Sequence, residues 1–266
     1  MFFGRFFAIL YYYCQGGIHL EYCDTLHPSG YRLHFSDALV KPGTDSFLLA
    51  DFTALKRGLR VCDLGAGIGL IGLLLLNRCP DLSVHGVELQ SEAADMFQRN
   101  IDANALSDRF FLHRADLRAL KGVLPAGETD LVVCNPPYFK SGSGGKASGA
   151  VRQAAREENT CTIAEVCAAA AYLLRWGGTV SLVFRPERLA DLLCAMRAAG
   201  IEPKRLRFVE KQAGSAPILV LAEGRRGGNP GLRYEPPLVI YDGSGRESAE
   251  MDRINFRNER KATQRP

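Results

Sequence analysis

No stretch limits the possible folds of this chain more than Asp63-Leu64-Gly65-Ala66-Gly67-Ile68-Gly69. An apolar run, Leu59 to Leu64, leads into it, and an apolar helical pattern, Ile68 to Asn77, leaves it. The chain must therefore pass from strand to helix through a turn built mostly of glycine. Glycine accepts left-handed backbone angles and lets the main chain come close to a bound ligand. The same alternation then continues: Ser83 to Val87 reads as a strand, Ser91 to Asn104 as a helix, and Phe110 to His113 and Leu131 to Cys134 as strands. Strands separated by helices imply an α/β domain with a mostly parallel sheet, helices on both faces and right-handed crossovers.

The second half extends that sheet. Thr162 to Arg175 is an alanine-rich helix that Trp176-Gly177-Gly178 should break before a strand from Thr179 to Phe184, and Pro186 to Ala199 reads as a further helix. Lys204 to Glu210 and Ile218 to Glu223 lie too close together for a helical crossover, which predicts an antiparallel hairpin at one sheet edge. Ahead of the core, residues 25 to 40 suggest a short hairpin, and Ser46 to Leu55 a helix with Thr44 or Asp45 as its N-cap. The resulting division is an aromatic extension over 1–24, the main domain over 25–245 and a basic tail over 246–266.

The opening Met1 to Tyr13 is aromatic, but Arg5 interrupts it and it is too short to span a bilayer, so it reads as an extension outside the fold argument. Net charge is +4, which permits a polyanionic partner without requiring one. The eight cysteines are scattered, with no Cys-x-x-Cys pair and no histidines at metal spacing. The expectation is a protein of the reducing cytoplasm with no disulfide framework, no metal and no stable membrane association.

Gly67-Ile68-Gly69-Leu70-Ile71-Gly72 matches the dinucleotide pattern, with Glu88 where a ribose-binding acid belongs. That pattern allows a nicotinamide-dependent oxidoreductase. Asp63 speaks against it, because a pyrophosphate would meet a negative charge just before the first glycine, whereas a cationic ligand would be attracted. S-adenosylmethionine carries an ammonium and a sulfonium, so Asp63 suits its amino-acid end and Glu88 its ribose hydroxyls. Asp116, past the third core strand, could accept from the adenine amino group. The fourth strand ends in Asn135-Pro136-Pro137-Tyr138-Phe139. Two prolines cannot donate backbone hydrogen bonds and stiffen the exit from the sheet. The side-chain carbonyl of Asn135, the backbone carbonyl of Pro136 and the flat face of Tyr138 together suit a planar ring bearing an amino group.

These residues resemble the class I S-adenosylmethionine-dependent methyltransferases that act on planar amino groups, whose signature is Asn-Pro-Pro-Tyr, here Asn135 to Tyr138. Within that group, Lys41-Pro42-Gly43-Thr44-Asp45-Ser46, Asn135 to Phe139, Ala155-Arg156-Glu157-Glu158 and Arg185 to Leu189 are similar to segments of the bacterial valine tRNA adenine-N6 methyltransferases. The resemblance implies a Rossmann-like, mostly parallel seven-stranded sheet. It implies S-adenosylmethionine held by Thr44, Asp45, Asp63, Gly65, Gly67, Gly69, Glu88, Asp116 and Asn135. The transfer would be carried by Asn135, Pro136, Pro137 and Tyr138. A tRNA substrate would be held by Tyr138, Phe139, Lys140, Lys146 and Arg156. The glycine-serine run 141 to 149 is a candidate lid. Rival readings are glutamine-N5 methylation of a translation factor, guanine-N2 methylation of ribosomal RNA, and a non-catalytic RNA-binding module on the same fold.

Overall fold

The computed structural model describes residues 8–14, 17–26, 30–37, 39, 43–136 and 161–256. An antiparallel sheet is formed by β1 (Ala8–Cys14), β2 (Gly17–Thr25) and β3 (Arg32–Ser36). The main domain follows with α1 (Thr44–Phe52), β4 (Arg60–Leu64), α2 (Leu70–Arg78), β5 (Ser83–Glu88), α3 (Ser91–Ala103), β6 (Phe110–Arg114) and β7 (Thr129–Cys134). Its second half holds α4 (Ile163–Leu173), β8 (Leu174–Phe184), α5 (Leu189–Ala198), β9 (Ile201–Glu210), β10 (Pro217–Arg226), β11 (Arg233–Val239) and α6 (Ala249–Ile254).

The large sheet runs β11-β9-β10-β8-β7-β4-β5-β6. From β4 the chain builds outward through β5 to β6, then returns to place β7 and β8 on the other flank of β4, all parallel. The strand order therefore reverses between β4 and β7, and the carboxyl ends of strands at such a reversal are where open α/β sheets bind ligands. Side chains alternate across the sheet as the pleat requires. Val61, Leu131, Val133 and Val183 enter the core shared with α1, α2 and α3. Cys62, Leu64, Val132, Cys134, Val180 and Leu182 enter the core shared with α4 and α5.

Several expectations need correction. The sheet has eight strands, not seven, because Arg233–Val239 pairs parallel to β9. The β9–β10 hairpin consequently lies inside that outer strand, although β10 does run antiparallel to both neighbours. Trp176-Gly177-Gly178 does not end a helix before a separate strand: α4 passes straight into β8, and these residues form an irregularity in which Thr129 pairs with Leu174 but Leu131 pairs with Thr179. Gly177 takes φ +80° there, which glycine adopts without strain. The aromatic extension is not outside the fold, since Ala8–Cys14 and Gly17–Thr25 pair strand to strand. At the far end, α6 buries Met251 and Ile254 against the main core rather than standing free as a basic tail.

Two asparagines on one face of α3 fasten the small sheet to the large domain. Asn100 Oδ1 accepts from the His34 N–H at 2.7 Å, and its Nδ2 donates to the carbonyls of His34 and Ile68 at 3.0 and 2.9 Å. One turn later, Asn104 Oδ1 accepts from the Arg32 N–H at 2.7 Å and its Nδ2 donates to the Arg32 carbonyl at 2.8 Å. The two-residue period of β3 and the four-residue period of α3 bring matching partners together. A capping box, Thr162 with Glu165, starts α4.

Candidate active site

The carboxyl edge of the sheet, at the strand-order reversal, carries the acids that the sequence places at strand ends. Asp63 lies on β4 opposite Val133 of β7 on one side and Gly86 of β5 on the other. Glu88 closes β5, Asp116 lies just beyond β6, and Asn135 follows the last residue of β7. Adjacent strands stand about 4.8 Å apart, so Asp63 and Asn135 lie at neighbouring strand ends.

Asp63 is the anomaly. It is 0% exposed, and neither carboxylate oxygen has a hydrogen-bond partner. Burial raises its pKa to about 7 and Glu88 pushes the same way; the backbone N–H of Gly72 in the first turn of α2 pulls back from nearby without making a hydrogen bond of normal geometry. A buried acid without a donor costs free energy unless something cationic arrives.

Above it, the glycine turn is formed as the spacing demands. Gly65, Gly67 and Gly69 have φ of +71°, +56° and +83°. The N–H groups of Gly65 and Ala66 both donate to the Val87 carbonyl, at 2.9 and 3.0 Å, tying the turn to β5. A Cβ at Gly65 or Gly67 would meet open space, whereas one at Gly69 would lie 2.6 Å from Phe97. Gly69 thus serves packing as well as the turn, while the first two glycines leave an open face.

Glu88 is buried and accepts from the Gly67 N–H at 2.8 Å and the Gln90 N–H at 2.7 Å, one bond to each oxygen. A carboxylate has about four acceptor sites, so two remain for hydroxyl donors. Leu89, which the sequence reading did not single out, is 43% exposed directly after it. Its signal was an apolar residue one step past a strand-ending acid. Asp116 differs from expectation: both of its oxygens accept from the Arg118 guanidinium, at 2.6 to 3.0 Å. That pairing holds its carboxyl below the usual range, and an adenine amino group would have to share it.

On the β7 side, Asn135 is half-buried and Pro136 buried. Asn135 Nδ2 donates to Ser46 Oγ at 3.3 Å. Thr44 and Asp45 lie in the first turn of α1, but Gly43 occupies the N-cap position and no side chain caps the helix. Pro137, Tyr138, Phe139, Lys140, Lys146, Arg156 and the 141–149 run fall outside the described residues. Among the described residues there is no group of three or more His, Cys, Asp or Glu able to hold a metal, and no helix is long and apolar enough to cross a membrane.

The family model for the methyltransferase small domain matches residues 34–192. A tRNA1(Val) (adenine(37)-N6)-methyltransferase from Tolumonas auensis is 32% identical over 80% of this chain and 86% of its own length. An enzyme of the same name from Porphyromonas gingivalis is 31% identical over 81% of this chain and 87% of its own. In three dimensions, a predicted O-methyltransferase from Agrobacterium tumefaciens superposes with a TM-score of 0.66 at 24% identity, covering 81% of this chain and 96% of that one, which supports the Rossmann-like fold. Identity at this level across four-fifths of the chain shows that the protein belongs to the methyltransferase small domain family, among the tRNA1(Val) (adenine(37)-N6)-methyltransferases.

Proposed function

We propose that the chain methylates the exocyclic N6 amino group of an adenine in a tRNA anticodon loop, position 37 of valine tRNA as the named relatives do, with S-adenosylmethionine as donor. The observation that carries this reading is the unpartnered, buried carboxylate of Asp63 on the strand beside the one that ends in Asn135. That orphaned acid fits an ammonium-bearing cofactor and would repel a pyrophosphate. When bound, S-adenosylmethionine supplies an electrophilic methyl on a sulfonium.

The residues then divide the work. Asp63 holds the ammonium, directly or through water. The free acceptor sites of Glu88 take the ribose hydroxyls, Gly65, Gly67 and Gly69 let the backbone come close, and Leu89 packs under the adenine ring. Thr44 and Asp45 in the first turn of α1 and Asp116 beyond β6 complete the rim. The exocyclic nitrogen of adenine is a poor nucleophile because its lone pair is delocalised into the ring. Asn135 and the Pro136 carbonyl accept its two N–H bonds, favour rehybridisation and hold the nitrogen in line. No strong base is needed, since the proton is lost after transfer to Asn135, water or bulk. Tyr138 and Phe139 stack the base, worth roughly 1–3 kcal/mol, and Pro137 stiffens the turn. Lys140, Lys146 and Arg156 supply positive charge for phosphates. A loop nucleotide is already largely unpaired, which lowers the cost of extruding it. A tRNA substrate places the enzyme in the cytoplasm.

Asn135→Ala should lower transfer by roughly 10²–10³-fold or more while leaving cofactor affinity nearly intact. Mass spectrometry of nucleosides from tRNA incubated with the enzyme and cofactor tests the substrate: N6-methyladenosine in valine tRNA is expected. Label appearing instead in ribosomal RNA or in protein would contradict the reading.

A further inference from the structure

We propose that Ser46 is a positioning residue for Asn135, fixing where its carboxamide stands relative to the substrate amine; this deepens the function proposed above and rests on it. The two side chains come from positions 89 residues apart and meet at 3.3 Å, with Asn135 Nδ2 donating to Ser46 Oγ. Ser46 is buried in the first turn of α1, where its own N–H donates to the Gly43 carbonyl at 3.3 Å. Leu48, Leu49 and Phe52 anchor that helix in the core. The hydroxyl therefore sits on a rigid element.

A carboxamide has two faces of nearly equal shape and opposite polarity. Turned one way, Asn135 offers a carbonyl to an incoming N–H; flipped, it offers two N–H donors that repel the amine. Ser46 Oγ accepts from the amide nitrogen in the productive orientation. A hydroxyl both donates and accepts, so the contact acts by fixing where the carboxamide stands against α1 and not by choosing between its two faces. The same contact joins α1, carried by the segment before the glycine turn, to the turn that ends β7.

This role makes an asymmetric prediction. Ser46→Ala should lower the single-turnover rate about tenfold, with S-adenosylmethionine affinity and KM for tRNA little changed, and Ser46→Thr should restore most of the rate. Because Ser46 acts through the Asn135 side chain, in an Asn135→Ala background the added loss from Ser46→Ala should be under about twofold. Equal losses in both backgrounds, or full activity of Ser46→Ala, would overturn the proposal. A measurement free of turnover separates it from the substrate reading. In 15N spectra of the ligand-free full chain, the Asn135 side-chain NH₂ pair, identified by its loss in Asn135→Asp, should shift in Ser46→Ala. An unmoved pair would overturn the role of Ser46, whereas a wild-type chain that methylates no tRNA would sink the substrate alone and leave this spectrum to decide.

Discussion

Asn100 and Asp63 are both 0% exposed and both polar, yet they are opposites. Every polar group of the Asn100 side chain is used: its oxygen accepts from His34, and its nitrogen donates to His34 and Ile68. Neither oxygen of Asp63 has a hydrogen-bond partner of normal geometry. A satisfied buried polar side chain is architecture, holding one element to another. An unsatisfied one calls for a partner such as a water, an ion or a ligand. In the function proposed above, Asp63 finds that partner in the cofactor, whereas Asn100 needs none.

Substitutions can break that contrast. Asp63→Ala should weaken S-adenosylmethionine by roughly 100-fold, since it removes the charge partner of a buried ammonium. Asn100→Ala should have the largest effect on stability, roughly 2–3 kcal/mol, by leaving the His34 and Ile68 backbone groups without partners, and should scarcely change cofactor affinity. Thermal unfolding checks both. If Asp63→Asn lowered the ligand-free melting temperature as much as Asn100→Ala does, Asp63 would be architecture too; the expected result at pH 8 is a rise of a few degrees, because a buried charge is removed.

A smaller effect sharpens the same point through pH. The Asp63 pKa is raised by burial to about 7 in the folded protein. It ionises in the unfolded chain first, so its contribution to stability is intact below about pH 4 and is lost as pH rises toward about 7. Cofactor binding runs the other way, needing the ionised acid and an ammonium of ordinary pKa near 7.8. Affinity should therefore rise about fivefold from pH 6 to pH 7.4 and fall at higher pH. In Asp63→Asn the acid limb should be flat. Smaller still, Gly69→Ala should destabilise by roughly 1–3 kcal/mol through its left-handed backbone and the clash with Phe97, while Gly65→Ala should cost only the backbone strain.

The contrast also explains what the sequence could reveal. Leu59–Leu64, Ser83–Val87 and Leu131–Cys134 were legible because strands buried on both faces are short apolar runs, and their terminal acids mark the sheet edge by position alone. Arg233–Val239 was not, since it carries Pro236 and Pro237, and prolines argue against a strand. It is tolerated because β11 pairs only with β9, and its pairing is interrupted between Glu235 and Leu238, across the prolines. The irregularity at Trp176 was hidden because Gly177-Gly178 reads locally as a break, and only pairing with β7 keeps it in the sheet. Trp176 itself stays 77% exposed, with its ring over Gly227. Ser46 could not have been joined to Asn135 from spacing, because their meeting depends on how α1 seats on the finished sheet. The solitude of Asp63 was likewise invisible: a sequence shows a carboxylate at a strand end, but not whether a donor reaches it.

Titration calorimetry of the full chain with S-adenosylmethionine at pH 6.5, in two buffers of different ionisation enthalpy, addresses that solitude directly. Wild type should bind and release a fraction of a proton to the buffer as Asp63 ionises against the ammonium, and Asp63→Asn should bind far more weakly with no such release. Equal affinity and equal proton exchange in the two proteins would mean that the buried acid does not meet the donor's charge.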